Sequence, residues 1–228
     1  KDVNKYLGNP VSASYTIAPK PLVEGRGFSI KLDGQDMINP AYTGEDIEPV
    51  VTVFDNLRDS ATGSQVASGG AFQIPASDFS VQYANNRDAG IATVTVTGLN
   101  NYSGSISKNF RITPLELSSA SSIGITLQPD REYVYTGDAV APVVAEFTVD
   151  GKVLRADEYT VTSQAVNAGE TEHTFTVAGT GNYRGSVASD APVVEGGPVT
   201  FRILPKDIAD LEVQLEDIPN QSYTGREI

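Results

Sequence analysis

A recurring unit of about ninety residues is the feature that most constrains how this chain can fold. The triplet Tyr-Thr-Gly begins at Tyr42, Tyr135 and Tyr223, so its copies are 93 and 88 residues apart. A spacing of that size corresponds to one small domain, and each copy should therefore bury a core of its own. The sequence predicts successive domain-sized modules in a row.

Two further patterns recur in a fixed order around the triplet. The pattern aromatic-x-Ile-x-Pro begins at Tyr15, Phe110 and Phe201. The pattern Tyr-x-Gly always lies upstream of it and begins at Tyr6, Tyr102 and Tyr183. We therefore assign residues 1–22 to the C-terminal strand or strands of a preceding repeat, 28–117 and 118–208 to complete repeats, and 209–228 to the N-terminal part of a following repeat. This division predicts a segment of a longer tandem array.

Alternating apolar residues predict strands in both complete repeats. Ala92, Val94 and Val96 alternate with polar residues in the first repeat, and Phe175 and Val177 do so in the second. A period of two places one face of a strand towards the core, and no segment has helical periodicity over ten residues or more. We predict an all-β protein built of tandem immunoglobulin-like antiparallel β-sandwich modules.

The ends of the strands are marked by proline, glycine and asparagine. Aromatic-x-Ile-x-Pro should be the last strand of each module, ended by Pro114 or Pro205, because proline cannot donate to a ladder. Asn100 aligns with Gly181, and these are the residue types that best occupy a left-handed backbone position. Residues 117–124 are predicted to be a linker. Residues 11–19 are predicted to pack against a neighbouring surface, since Tyr15 and Ile17 are regularly spaced.

The charge of the chain excludes several classes of partner. There are 29 acidic and 16 basic residues, which gives a formal net charge of −13. Such a surface repels phosphate backbones and anionic lipids, so we expect no nucleic-acid binding, and a monomer is expected because like charges oppose self-association. No run approaches the ~20 apolar residues of a membrane span, so no membrane insertion is expected in this segment. The absence of cysteine excludes disulfides and thiolate metal sites.

The order of these motifs resembles the tandem bacterial Ig-like repeats of large secreted or wall-anchored proteins of Gram-positive gut bacteria. The landmarks of the first copy are Tyr42, Pro49, Phe79, Gly90, Gly98, Tyr102 and Pro114. Those of the second are Tyr135, Pro142, Tyr159, Gly169, Gly179, Tyr183 and Pro205. The resemblance implies a non-enzymatic segment of a bacterial cell-surface protein that acts as a stalk or spacer, with adhesion as a further role, and an extracellular or cell-wall location.

Each repeat carries an insertion that the other lacks. The first has about thirteen extra residues in the stretch 56–72, and the second has ten extra within 187–199. Insertions in repeats lie in loops, where binding sites are commonly built. The alternative functions are therefore a binding module for a host glycan or protein through these loops, or an accessory module of a polysaccharide-degrading enzyme. Neutral variation of exposed loops is the simpler interpretation.

No catalytic or cofactor-binding residues are assigned. The single histidine, His173, lies in phase with the apolar Phe175 and Val177, which favours a structural role over a Ser-His-Asp arrangement. Carboxylates are plentiful but scattered, which does not favour glycoside hydrolysis.

Two structural devices remain open as alternatives. Structural calcium could bind at a junction between repeats. The candidate ligands for it are Asp207, Asp210, Glu212, Glu216 and Asp217. Intramolecular isopeptide bonds need a buried lysine beside an asparagine, and the candidate donors are Lys31 and Lys108.

Overall fold

The computed structural model describes residues 13–67, 69–128, 131–207, 209, 222 and 225. The chain forms two compact units, Lys1–Leu115 and Glu116–Ile228. The described residues form many short strands, together with two 3₁₀ turns at Ala76–Asp78 and Leu117–Ser119. The predicted all-β class is confirmed.

The described part of the first unit contains eight strands. They are β1 (Lys20–Pro21), β2 (Phe28–Leu32), β3 (Val51–Asp55), β4 (Phe72–Gln73), β5 (Phe79–Ala84), β6 (Gly90–Gly98), β7 (Tyr102–Ser103) and β8 (Ser105–Ile112). One sheet has the order β2-β3-β4 and a second has the order β5-β6-β8, all antiparallel. The short β1 pairs in parallel with β7. The two antiparallel sheets make the unit sandwich-like.

Part of the core of the first unit comes from the alternating positions that the sequence singled out, and another part comes from the sheet β2-β3-β4. Ala92, Val94 and Val96 on β6 are fully buried. Ile30, Leu32 and Val53 are buried on the other sheet, and Phe110 and Ile112 on β8. Burying aliphatic side chains of this size stabilises the folded state by roughly 1.5–3 kcal/mol each, so these residues account for the main cohesion of the unit.

The second unit repeats this arrangement. Its strands are β9 (Leu115–Glu116), at which the boundary between the units falls, β10 (Ile123–Leu127), β11 (Glu132–Val134), β12 (Val144–Val149), β13 (Lys152–Val153), β14 (Tyr159–Thr162), β15 (Thr176–Gly179), β16 (Tyr183–Arg184), β17 (Ser186–Ala188) and β18 (Arg202–Leu204). The antiparallel sheets have the orders β10-β12-β13 and β14-β15-β17. Two further strand pairs, β11-β18 and β9-β16, form separate two-stranded sheets.

The recurring motifs have the same structural role in both units. The segment at Tyr42 pairs in parallel with the end of the closing strand, where the Tyr42 amide donates to the Thr113 carbonyl at 2.8 Å. In the second unit the Tyr135 amide donates to the Leu204 carbonyl at 2.9 Å. Phe110 and Phe201 both lie in the core.

The turn before β7 and β16 explains two landmark positions. Asn100 and Gly181 have φ angles of 53° and 63°, which confirms the predicted left-handed position. At Gly98 an added Cβ would lie 2.7 Å from the Ser103 nitrogen, and at Gly179 it would lie 2.8 Å from Cβ of Tyr183. Neither site has room for a side chain, because the backbone of the turn folds back onto the strand.

Several segments differ from the sequence-based expectation. Residues 117–124 are not a free linker, since Leu117 and Ile123 are fully buried and Ile123 begins β10. The strands β2 and β10 were not predicted, because β2 lies beside a glycine-rich run and β10 follows a serine-rich one. Tyr15 and Ile17 are 86% and 82% exposed, so the expectation that they pack against a surface is wrong for the described part of residues 11–19.

Candidate functional site

A cleft of about 610 Å³ opens on the first unit, at the foot of the inserted loop 56–72. Its lining comes from the segment before β1, the inserted loop, the 3₁₀ turn and the turn before β7. The lining residues are Ile17, Ala18, Pro19, Lys20, Arg58, Gly63, Gln65, Phe72, Pro75, Asp78, Asn100, Asn101 and Tyr102. A volume of this size suits a small ligand.

The inserted loop has a defined fold although none of its described residues is buried. An antiparallel bridge joins Arg58 to Gln65. The carboxylate of Asp59 accepts from the amides of Ala61 and Thr62 and from the Thr62 hydroxyl. The hydrogen bonds from Thr62 hold the pKa of Asp59 below its usual value, because they stabilise the charged form. A turn organised in this way holds the loop in one shape.

The guanidinium of Arg58 contacts the inserted loop and the neighbouring strand β7 in three places. Its Nε donates to the Gly63 carbonyl at 2.7 Å, and Nη1 donates to the phenolic oxygen of Tyr102 at 3.1 Å. The guanidinium also lies over the ring of Phe72, 4.1 Å from the ring centre. Three contacts in three directions fix the group, so little side-chain freedom remains to be lost on binding.

Lys20 provides a second cation, and a buried carboxylate neutralises it. Its Nζ lies 2.6 Å from Oδ2 of Asp55, whose side chain is fully buried. The other carboxylate oxygen of Asp55 accepts from the Leu57 amide at 3.1 Å. Asp55 therefore connects the first strand of the unit to the start of the inserted loop.

The positions that align with this ion pair in the next copy of the repeated sequence are both apolar. Sequence alignment on the aromatic-x-Ile-x-Pro motif places Leu115 at the position of Lys20. Strand register places Val149 at the position of Asp55, since Ile123 pairs with Val149 as Phe28 pairs with Asp55. An ion pair at this place is therefore not required by the fold.

The rim of the cleft is shared architecture. Asn101 donates to the Asp78 carboxylate at 3.3 Å, and Asn182 donates to the Glu158 carboxylate at 3.3 Å at the matching place in the second unit. These contacts tie the turn to the residue just before β5 in the first unit and just before β14 in the second. Contacts of Lys20, Arg58 and Phe72, and the hydrogen bond from the Asn100 side chain to the Ser77 carbonyl, are found in the first unit without an aligned counterpart in the second.

The second inserted loop, 187–199, is part of the core of its unit. Val194 and Val199 are buried, and Ser189 is fully buried. The Ile123 amide donates to the Val193 carbonyl, and the Glu195 amide donates to the Ile123 carbonyl. The loop thus covers the open edge of β10, which is a known way to protect a sheet edge. Of the two insertions, only the first contributes to the cleft at the foot of residues 56–72.

The other residues considered from the sequence lie away from the cleft. His173 packs against Phe201 with 5.7 Å between ring centres, and its Nε2 lies 3.2 Å from the Asn167 carbonyl. Lys108 Nζ donates to the Ile30 carbonyl at 2.5 Å, and Lys31 lies over the ring of Phe54. These described contacts do not place either lysine against an asparagine.

Four of the five candidate calcium ligands lie outside the described residues. Asp210, Glu212, Glu216 and Asp217 lie outside the described residues, and Asp207 caps a local turn by accepting from the Ala209 amide. Within the described part of the chain, no cluster of three or more His, Asp or Glu side chains has the arrangement of a metal site. No described helix has the length and apolar character needed to cross a membrane.

Fold and motifs together define an all-β chain with two repeated sandwich-like units. Comparison with protein-family models, curated proteins and solved structures finds no significant match to this chain.

The sequence indicates the inserted loop but does not single out the basic residues that line the cleft, Lys20 and Arg58. The insertion was visible as extra length between Pro49 and Asp78. Lys20 could have been singled out as the charged residue at a position where the other repeat has leucine. Arg58 carried no such signal, because the second repeat has no residue to align with it.

Proposed function

We propose that this chain is a non-enzymatic segment of a bacterial cell-surface protein, in which immunoglobulin-like modules follow one another as a stalk or spacer. The observation that carries the proposal is the recurrence of one closing strand. Phe110 and Phe201 begin the same motif, occupy the same buried position and are followed by the same parallel pairing with the Tyr-Thr-Gly segment. Modules that each complete their own core are suited to being joined in series.

Charge supports the same proposal. A formal net charge of −13 opposes association between copies of the chain, which a spacer at high local density requires. The resemblance of the motif order to bacterial Ig-like repeats supports an extracellular location.

Small-angle scattering of the 228-residue chain tests the spacer function. A single compact body of this length has a radius of gyration of about 17 Å. Modules arranged in series should give a value above about 20 Å that does not change with protein concentration, because each unit alone contributes about 13 Å and their separation adds to it. A value near 17 Å, or one that rises with concentration, would contradict the proposal.

A further inference from the structure

We propose that the cleft of the first unit, at the foot of loop 56–72, binds an acidic saccharide, with the carboxylate on Arg58 and the hydroxyl groups on the Asn100 and Asn101 rim. This inference goes beyond the spacer function and does not depend on it. It rests on four features: the unpaired Arg58, the geometry of its guanidinium, the polarity of the rim, and the lack of a residue that aligns with Arg58 in the second repeat.

Arg58 makes no ion pair among its described contacts, and it shares the lining of the cleft with the carboxylate of Asp78. Lys20 is paired with the buried Asp55. The described contacts of Arg58 are with a carbonyl, a hydroxyl and an aromatic ring, none of which carries a charge. In a protein with a net charge of −13, an ordered guanidinium that makes no ion pair offers a binding group for an anion.

The geometry of Arg58 favours a carboxylate. A guanidinium presents its donors in a planar fork that matches the two oxygens of a carboxylate. Nε donates to Gly63 and Nη1 donates to Tyr102, so Nη2 and the second hydrogen of Nη1 remain as donors for a ligand. Stacking on Phe72 keeps the plane of the fork fixed before a ligand arrives.

The rest of the cleft suits a sugar better than a simple anion. Asn100, Asn101 and Gln65 are exposed and line it. The Nδ2 groups of Asn100 and Asn101 donate to Ser77 and Asp78, which leaves their side-chain oxygens to accept from the hydroxyls of a sugar. The carboxylate of Asp78 can accept from a hydroxyl, so the ligand's carboxylate has to lie on the Arg58 side of the cleft and its hydroxyls on the Asp78 side. Ile17 and Phe72 supply apolar surface for the carbon face of a sugar ring.

The second unit serves as an internal control for this assignment. It keeps the rim contact between Asn182 and Glu158, but no residue of it aligns with Arg58, and the positions that align with the ion pair are Leu115, at the boundary of the units, and Val149. The contact between the turn and the neighbouring carboxylate therefore recurs with the fold, whereas Arg58 and the Lys20–Asp55 ion pair belong to the first unit.

Titration of the isotope-labelled chain by NMR spectroscopy, with methyl glucuronide and methyl glucoside as the paired probes, tests the assignment. The two sugars differ only in the carboxylate. We expect methyl glucuronide to bind with a dissociation constant on the order of 1 mM and to shift resonances of residues 56–72, and methyl glucoside to bind about tenfold more weakly, as expected for loss of one charge-assisted pair. Acetate should also bind more weakly, because it lacks the hydroxyls.

Three variants locate the site. Arg58→Gln should weaken glucuronide binding about tenfold, whereas Arg87→Gln, which removes an exposed arginine outside the cleft, should leave it unchanged. Asn100→Gly places at this left-handed position the residue type that the second unit has there, so the variant should fold normally. It should bind methyl glucuronide severalfold more weakly, because the side-chain amide of the rim is lost. The proposal would be overturned if both sugars bound with equal affinity, or if acetate bound as tightly as methyl glucuronide. It would also be overturned if Arg58→Gln and Asn100→Gly bound methyl glucuronide as tightly as the unchanged chain.

Discussion

Replacing Phe201 by alanine is expected to remove most of the stability of the second unit. Phe201 is fully buried and lies against Tyr133, His173 and Phe175, with ring centres 5.6, 5.7 and 6.3 Å away. Truncating a buried phenylalanine costs about 3–5 kcal/mol of unfolding free energy, which is a large part of the roughly 5–15 kcal/mol that a domain has.

Hydrogen exchange measured by mass spectrometry would report this effect on each unit separately. Amides of β15 in the second unit should exchange more than a hundredfold faster in the Phe201→Ala variant, because about 1.4 kcal/mol corresponds to a factor of ten. Amides of β6 in the first unit should keep their protection if each unit has its own core.

The repeat supplies the matched control for Phe201. Tyr15 occupies the same position in the same motif but is 86% exposed. Tyr15→Ala should therefore change the free energy of unfolding by less than about 0.5 kcal/mol. Equal losses in the two variants would show that burial at this motif position is not what stabilises the unit, and a loss of protection in both units of Phe201→Ala would show that they share a core.

Replacing Lys20 by methionine is the second large expected effect. The change keeps the length of the side chain but leaves Asp55 buried and without its counter-charge. Breaking a buried ion pair in this way costs about 3–5 kcal/mol when both partners are fully buried. Lys20 retains 30% exposure of its side chain, so we expect the lower end of that range, about 3 kcal/mol. Hydrogen exchange of β3 and β6 would measure the loss.

The double variant Lys20→Leu, Asp55→Val distinguishes the pair's role in the site from its role in the fold. It installs the residue types of the second unit, and replacing a buried ion pair by apolar residues is often neutral or stabilising. The strands of the first unit should then be protected again. The inserted loop should nevertheless exchange faster, because the Leu57 amide has lost its acceptor on Asp55. A double variant that is as unstable as Lys20→Met would contradict this account.

The parts of the fold that could be predicted are those that local sequence determines. The alternation of Ala92, Val94 and Val96 determines which face of β6 is buried, and Asn100 and Gly181 mark a backbone angle that few residues tolerate. The strand β10 was missed because its neighbours are serines, and only the distant β12 and the edge-covering loop at Val194 give Ile123 its buried environment.

The cleft could be predicted only in outline. Extra length between Pro49 and Asp78 indicated a loop with room for a site. The partners of that site are far apart in sequence: Lys20 meets Asp55 across 35 residues, and Arg58 meets Tyr102 across 44. No periodicity or spacing rule encodes such contacts, so they become visible only when the chain is folded.

Stretching single molecules of the chain from its two ends tests most directly whether successive self-contained β modules make up this protein. Each unit of about ninety residues should unfold in its own event and release about 300 Å of chain, since an extended residue spans at most about 3.3–3.6 Å. We predict two such events of similar length in every complete trace. A single event that releases about twice that length would mean that the two units form one cooperative core, and it would contradict the account.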